Sequence, residues 1–207
     1  LDPKKDQFIA SVYFLKNQIG LSALDISTGV FKVTQVDGEN SFSLLADELQ
    51  KLDPKEIIIP NSVKDEIQPW LPKGNVFVHT GEDWIFSYSE AYRNLIDHFK
   101  TQSLEGFGCE NMKVAISSAG ALIHYLQETQ KSAMGHITTL TPFPIHNYMA
   151  VDQCTLASLE LVQSSEGSRK NSLLDLLDIS LTAMGARRIR EWILKPLIDK
   201  KRIQERL

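Results

Sequence analysis

The chain has 207 residues, 43% hydrophobic and 23% charged, a balance that fits one large globular domain or two smaller ones with a sizeable core. No apolar run approaches the roughly 18 to 20 residues that span a bilayer, and the opening Leu1-Asp2-Pro3-Lys4-Lys5-Asp6 lacks the apolar stretch of a secretion signal, so a cytoplasmic protein is expected. A net charge of −4 does not suit a domain that wraps DNA by itself, because nonspecific affinity comes mainly from neutralising phosphates with Lys and Arg.

That charge is unevenly spread. Residues 1–149 hold 12 Lys and Arg against 18 Asp and Glu, whereas 150–207 hold 10 against 8, which hints at two units with different neighbours. Cys109 and Cys154 form no CxxC and have no His at metal-ligand spacing, so both are read as reduced packing residues rather than a disulfide or zinc site.

In chain order, the run from Phe8 to Leu15 is aromatic and β-branched and predicts a strand. Lys16-Asn17-Gln18 is a turn, Ile19 to Ile26 a second strand, and Ser27-Thr28-Gly29 the next turn. Val30 to Val36 gives a third strand closed by Asp37-Gly38, so the start reads as an antiparallel meander. Leu45, Leu49 and Leu52 then recur at helical spacing behind a cap at Asn40 or Ser41, and Asp53-Pro54 ends that helix.

Glu56-Ile57-Ile58-Ile59-Pro60 is an apolar run of the kind buried on both faces of a sheet. Val63 to Leu71 predicts a short helix and Asn75 to His79 a strand. Tyr88, Ala91, Tyr92, Leu95, Ile96 and Phe99 share one face of a further helix, which the segment Ser103 to Gly108 breaks. The order β-β-β-α-β-α-β-α is the layout of an RNase H-like α/β mixed sheet.

Lys113 to Gln130 is helical and apolar nearly all round, which predicts burial among neighbours. Residues 136–151 read as an extended, proline-interrupted connection, and the domain reading is 1–142 for the sheet and 143–207 for a mainly helical segment. Asp152, Ser172, Thr182 and Asp199 are each placed to cap a helix there.

Three stretches in register resemble the MutS family of mismatch-repair proteins. They are Leu24-Asp25-Ile26-Ser27-Thr28-Gly29-Val30-Phe31; Ser103 to Gly108 followed by Ala119 to Lys131 and His136-Ile137; and Asp152, Thr155, Leu159-Glu160-Leu161, Ser172-Leu173-Leu174, Leu177-Asp178, Thr182, Met184-Gly185, Arg187, Arg190, Trp192 and Pro196-Leu197. The resemblance implies a connector domain of RNase H-like fold over 1–142 and the incomplete N-terminal part of a helical core or lever domain over 143–207, cut from a longer protein. It also implies that the full protein recognises mismatched double-stranded DNA as a homodimer, uses ATP and Mg, forms a clamp, and recruits a MutL-like protein that docks on the connector. Leu156, Ala157 and Ser158 depart from the family's usual Arg and Asn before the LEL element, which puts in question a polar contact there.

The sequence has no GxxxxGK[ST] phosphate loop and no Phe-x-Glu wedge, so no ATP or Mg site and no catalytic site is expected in this chain. The rival is an RNase H-like metal-dependent nuclease, which needs converging carboxylates. The first strand has none, and Ile57 to Ile59 runs into Pro60-Asn61 where a second would be required. Asp25 is read instead as support for its turn, accepting from backbone N–H groups at Ser27-Thr28-Gly29. His79, His98, His124, His136 and His146 are scattered and read as structural, and Gly106-Phe107-Gly108 as a bend that packs Phe107.

The one basic concentration, Arg187, Arg188 and Arg190, has two readings: a solvated helix face paired with Glu191 and nearby acids, or a contact with another domain or the DNA backbone. Leu159, Trp192, Ile193 and Leu207 are expected to expose apolar faces. Concentration-dependent self-association is the expected outcome in sedimentation velocity, and a strictly monomeric chain at high concentration would count against that exposure.

Overall fold

The computed structural model describes residues 6–74, 76–129 and 134–206. Its contacts divide the chain into two compact units, one of residues 7–143 and one of Asp6 with 144–206.

In the first unit, β1 (Phe8–Leu15), β2 (Gln18–Asp25) and β3 (Val30–Asp37) form the antiparallel meander, with Ser11 opposite Ser22 and Ser22 opposite Val33. Helix α1 (Ser41–Leu52) leads to β4 (Glu56–Pro60), which joins β1 in parallel. Beyond the short α2 (Lys64–Ile67), β5 (Phe77–Gly81) adds in parallel to β4. Helices α3 (Tyr88–Phe99) and α4 (Lys113–Thr129) precede a two-residue strand, β6 (Thr141–Pro142), parallel to β3. The sheet order is β5-β4-β1-β2-β3-β6.

Alternation decides which side chains meet which helices. Ile9, Leu24, Phe31, Val33 and Ile58 pack with α3 and α4 on one face. Phe8, Ala10, Val12, Leu21, Ile57 and Ile59 pack with Leu45 and Leu49 of α1 and Ile67 of α2 on the other. The apolar run of β4 is therefore buried on both faces, as its composition predicts.

Several boundaries differ from the sequence reading. The helix expected over Val63 to Leu71 has only one α-turn, α2, between 3₁₀ turns at Asn61–Val63 and Gln68–Trp70, because Pro69 cannot supply the N–H that would continue it. The strand expected from Asn75 begins at Phe77, and Asn75 lies outside the described residues. Asn40 flanks α1 without any side-chain cap bond, while Asp53 closes it in the left-handed region at φ +48°. The stretch read as a bare connection contains β6. Its two residues suffice to occupy the outer edge of β3, and Pro142, which has no N–H to donate, is tolerated on such an edge.

Helix α4 explains how this layer closes. Eleven of its seventeen residues are buried, so it sits beneath other elements rather than at the surface. A Cβ on Gly20 of β2 would lie 2.1 Å from the Val114 carbonyl oxygen of α4, and a Cβ on Gly120 of α4 would lie 2.3 Å from Ala91 Cα in α3. Both glycines are thus demanded by backbone approach, not by backbone dihedral angles.

In the second unit, α5 (Gln153–Ser158), α6 (Leu173–Leu177), α7 (Ala183–Leu194) and α8 (Lys200–Gln204) surround a small cluster of Val151, Leu156 and Leu194. Tyr148 and Leu197 form an isolated antiparallel bridge. The four capping residues read from the sequence all cap: Asp152, Ser172, Thr182 and Asp199 accept from the backbone N–H of Thr155, Asp175, Gly185 and Arg202 respectively.

The Gly120 contact gives a sign that helix propensity alone would reverse. Gly→Ala in an open helix interior gains about 1 kcal/mol, whereas overpacking against backbone costs about 1–3 kcal/mol. Gly120→Ala is therefore expected to lower the chemical-denaturation midpoint followed by circular dichroism, and a raised midpoint would refute the contact.

Candidate interaction surfaces

Polar side chains near the sheet are engaged in holding its connections. Asp25, fully buried at the end of β2, accepts from Ser27 N at 2.8 Å and Ser27 Oγ at 2.6 Å through one oxygen, and from Gln7 N at 3.2 Å through the other. This is the turn support read from the sequence, extended to the start of β1. Gly29, at φ +72°, completes the turn by donating to the Asp25 carbonyl at 2.8 Å.

A second polar group gathers where β4 and β5 begin. The Tyr125 hydroxyl of α4 donates to Glu56 Oε2 at 3.0 Å, and His79 Nε2 lies 3.5 Å from the same oxygen. Burial first, then the bond to Glu56, pushes the Tyr125 phenol up to about 12. Nearby, His124 Nε2 lies 3.4 Å from Glu128, and its ring meets Trp84 edge-on at 5.2 Å.

The other described histidine side chains also tie loops. His98 Nε2 donates to the Ile137 carbonyl at 2.9 Å and His136 Nε2 to that of Ile26 at 2.6 Å, which fixes the protonated nitrogen in each. Phe107 packs against Phe99 with ring centroids 4.7 Å apart and planes tilted by 40°, beside Gly108 at φ +72°, the expected bend. The two cysteines part company. Cys109 is buried, and desolvation pushes its thiol up to about 11, but Cys154 is exposed on the outer side of α5 and is not a packing residue.

Exposed apolar side chains fall in two places. In the first unit, among the described residues, β5 has no partner strand on its outer side, and Phe77 (69% exposed) and Val78 stand there, with Trp84 (53%) on the 3₁₀ turn that follows. In the second unit Leu159, Leu176, Ile179, Leu181 and Met184 are exposed, Leu181 completely. Leu159 and Trp192 match the sequence expectation. Ile193 is half-buried instead, because two turns after the buried Ala186 it returns to the same side of α7, and Leu207 lies outside the described residues.

The arginine triplet is not one surface. Arg187 is half-buried, with its Nε 3.6 Å from Asp6 Oδ1 in the same unit. Arg188 is exposed, pairs with Glu191 at 2.8 Å and lies over the Trp192 ring at 5.7 Å, while Arg190 is half-buried. The pairing with Glu191 is the solvated-face reading. The loop before α6 is pinned by Arg169, whose Nη2 donates to Asp178 Oδ2 at 2.5 Å, and Ser180 donates to the other oxygen through both its N–H and its hydroxyl.

No helix among the described residues is long and apolar enough to cross a membrane. An antiparallel meander extended by parallel strands, followed along the chain by a separately packed set of short helices, defines the class: an RNase H-like α/β domain joined to a helical segment.

The comparisons with known proteins make this specific. The family model for MutS domain II matches residues 7–138 and that for MutS domain III matches 154–207. The chain belongs to the MutS family of DNA mismatch repair proteins. It is 36% identical to the DNA mismatch repair protein MutS of Symbiobacterium thermophilum, 38% to that of Salinibacter ruber and 40% to that of Cytophaga hutchinsonii, each match covering 100% of this chain. It spans about a quarter of the length of these curated relatives, 24%, 23% and 24% respectively.

The Asp178 anchor carries a pH signature. The Ser180 hydroxyl, and then Arg169, hold the Asp178 carboxyl down to about 2. A depressed pKa contributes stability that is full above the ordinary carboxylate range near pH 4 and lost as pH falls towards about 2. Asp178→Asn is expected to be less stable than the parent at pH 7, with the gap narrowing between pH 4 and pH 2 in thermal melts; a pH-independent gap would speak against the anchor.

Proposed function

We propose that this chain is the connector domain and the beginning of the core domain of a MutS-type repair protein, residues 1–142 and 143–207, and that it docks a MutL-like partner and relays conformational change without catalysing a reaction. The observation that carries this is the tandem match to domains II and III on two separately packed units. Two rigid bodies joined by a short connection are suited to hinge motion, the commonest way for such coupling to travel. For the whole protein the same reading brings mismatched double-stranded DNA, ATP with Mg, clamp formation, a homodimer and a cytoplasmic setting; of these the relatives' description as DNA mismatch repair proteins supports the repair role.

The nuclease alternative draws less support from the carboxylates on the sheet. Both oxygens of Asp25 accept hydrogen bonds from protein, and Glu56 is held by Tyr125 and His79. Glu48, buried on α1, pairs with Lys51 at 3.0 Å. A carboxylate so engaged must give up these donors before it can bind a metal ion, and for a buried side chain that exchange is costly.

For docking, we assign the partner surface to the outer edge of β5, where open backbone groups and the exposed Phe77 and Val78 occur together, with Trp84 just beyond. Anchors of this size typically cost more than about 1 kcal/mol when truncated. Capture of a bacterial MutL by the tagged chain should therefore be saturable, and Phe77→Ser with Trp84→Ser should weaken it about tenfold. ATP turnover and mismatch-selective binding measured beside it should be absent. ATP hydrolysis or Mg-dependent nucleic-acid cleavage by the clean chain would overturn the non-catalytic reading, and undiminished capture by the double variant would overturn the edge assignment.

A further inference from the structure

Residues 183–206 carry eight Lys and Arg against three acids, a local charge of +5 in a chain whose total is −4. Arg188, Lys200, Lys201, Arg202 and Arg206 are exposed. The acids in this stretch are partly committed to local structure. Asp199 caps α8 by accepting from Arg202 N at 2.8 Å, and Glu191 pairs with Arg188. Among the described residues, Lys200, Lys201, Arg202 and Arg206 face no carboxylate at ion-pair distance in the structure.

Aromatic side chains organise the positive charge. The Trp192 ring, 41% exposed, has the Arg206 guanidinium 4.9 Å from its centroid and that of Arg188 at 5.7 Å. Lys195 lies over Tyr148 at 5.9 Å in the same way. A guanidinium resting on an indole keeps its forked N–H donors available while losing side-chain freedom in advance, so less entropy is lost when an anion arrives. Arg202 stands on α8 and Arg206 in the turn that closes it, Arg206 N donating to the Ile203 carbonyl at 3.1 Å, so the two charges lie four residues apart at one end of the same helix. That density suits a polyanion bearing a charge every 3.4 Å or so along each strand better than the scattered carboxylates of a folded protein surface.

We propose that the α7–α8 face binds the phosphodiester backbone of a nucleic-acid duplex without reading its bases. The contacts are charge-assisted hydrogen bonds from Arg and Lys to phosphate oxygens, which position a duplex but carry no sequence information. Of the arginine triplet this site takes Arg188 alone and joins it to α8 and the turn that follows, and it reaches beyond partner docking: the first unit could fail to hold MutL and the site would stand unchanged.

The test is fluorescence anisotropy of a labelled, fully paired 30-base-pair duplex titrated with the whole chain across a range of salt. Four neutralised phosphates predict a slope of log affinity on log salt near −3.6, about a 150-fold loss between 50 and 200 mM salt. The triple variant Lys200→Gln, Lys201→Gln, Arg202→Gln should flatten the slope by about 3 and Arg206→Gln alone by about 1. Lys73→Gln with Lys100→Gln, in the first unit, should leave both affinity and slope unchanged. Circular dichroism of each variant separates lost contact from lost fold, and the exposed Arg206→Gln gives a second, minimal reading. The proposal is overturned by the absence of saturable binding at 50 mM salt, by parent-like slopes in the α8 variants, or by poly-glutamate competing as well as unlabelled duplex, which would assign the face to an acidic protein.

Discussion

The first unit depends on a single close approach, that of α4 onto β2 on one side and α3 on the other. Backbone contact there leaves no room for side chains at Gly20 or Gly120, and it explains the run Ala115-Ile116-Ser117-Ser118-Ala119-Gly120-Ala121, small at every position but one. So tight a seam leaves its hydroxyls only protein partners, which Ser22 and Ser118 find while the buried Ser11 hydroxyl has none among the described residues. Ser118 Oγ donates to the Ser11 carbonyl at 2.7 Å, and since it has one proton, the 2.9 Å contact with Ser22 Oγ runs from Ser22. Gln35 of β3 closes the helix start by accepting from Val114 N at 3.1 Å. Three adjacent strands are thereby registered against one helix, and the parallel strands β4 and β5 extend from β1, an already fixed member.

That seam also shows what a sequence can and cannot disclose. The all-round apolar character of α4 predicted its burial, because periodicity reports how much of a helix is covered. It did not disclose that Gly20 and Gly120 are contact points, since a glycine in a strand or a helix reads equally well as a bulge or a weakness. Capping showed the same division. Asp152, Ser172, Thr182 and Asp199 precede helices whose first N–H groups they satisfy, a three-residue relationship written locally, whereas Asn40 has the same chemistry and makes no such bond. β6 was out of reach for a related reason: two residues have no period, and only the exposed edge of β3 makes Thr141 and Pro142 a strand.

The surfaces were legible to a lesser degree. Arg187, Arg188 and Arg190 fall within four residues, and that closeness suggested one patch. A helix turns about 100° per residue, so the three point in different directions, and Arg187 turns to Asp6. Arg206, fourteen residues from Trp192, reaches the same ring as Arg188 by a route that no local pattern contains. The engagement of Asp25 was legible because its partners at Ser27 lie two residues away; the Glu56–Tyr125 bond, 69 residues apart, was not.

The two units are held by different physics. The first buries large apolar side chains on both faces of its sheet. The second buries three in its cluster, Val151, Leu156 and Leu194, and its α5, α6 and α8 have six, five and five residues. Helices shorter than about 12 residues do not persist in water on propensity alone, and a segment of about 60 residues with so small a core gains little from burial. What remains is polar closure: four caps, the Arg169–Asp178–Ser180 anchor that fixes the loop before α6, and the bonds from Leu173 N and Leu174 N to the carbonyls of Glu160 and Leu161. Directional bonds of this kind set local geometry without covering the outward faces of the helices. Leu176, Ile179, Leu181 and Met184 stay in water as a direct consequence, and a segment shaped in this way presents its apolar and basic surfaces already formed to whatever binds them.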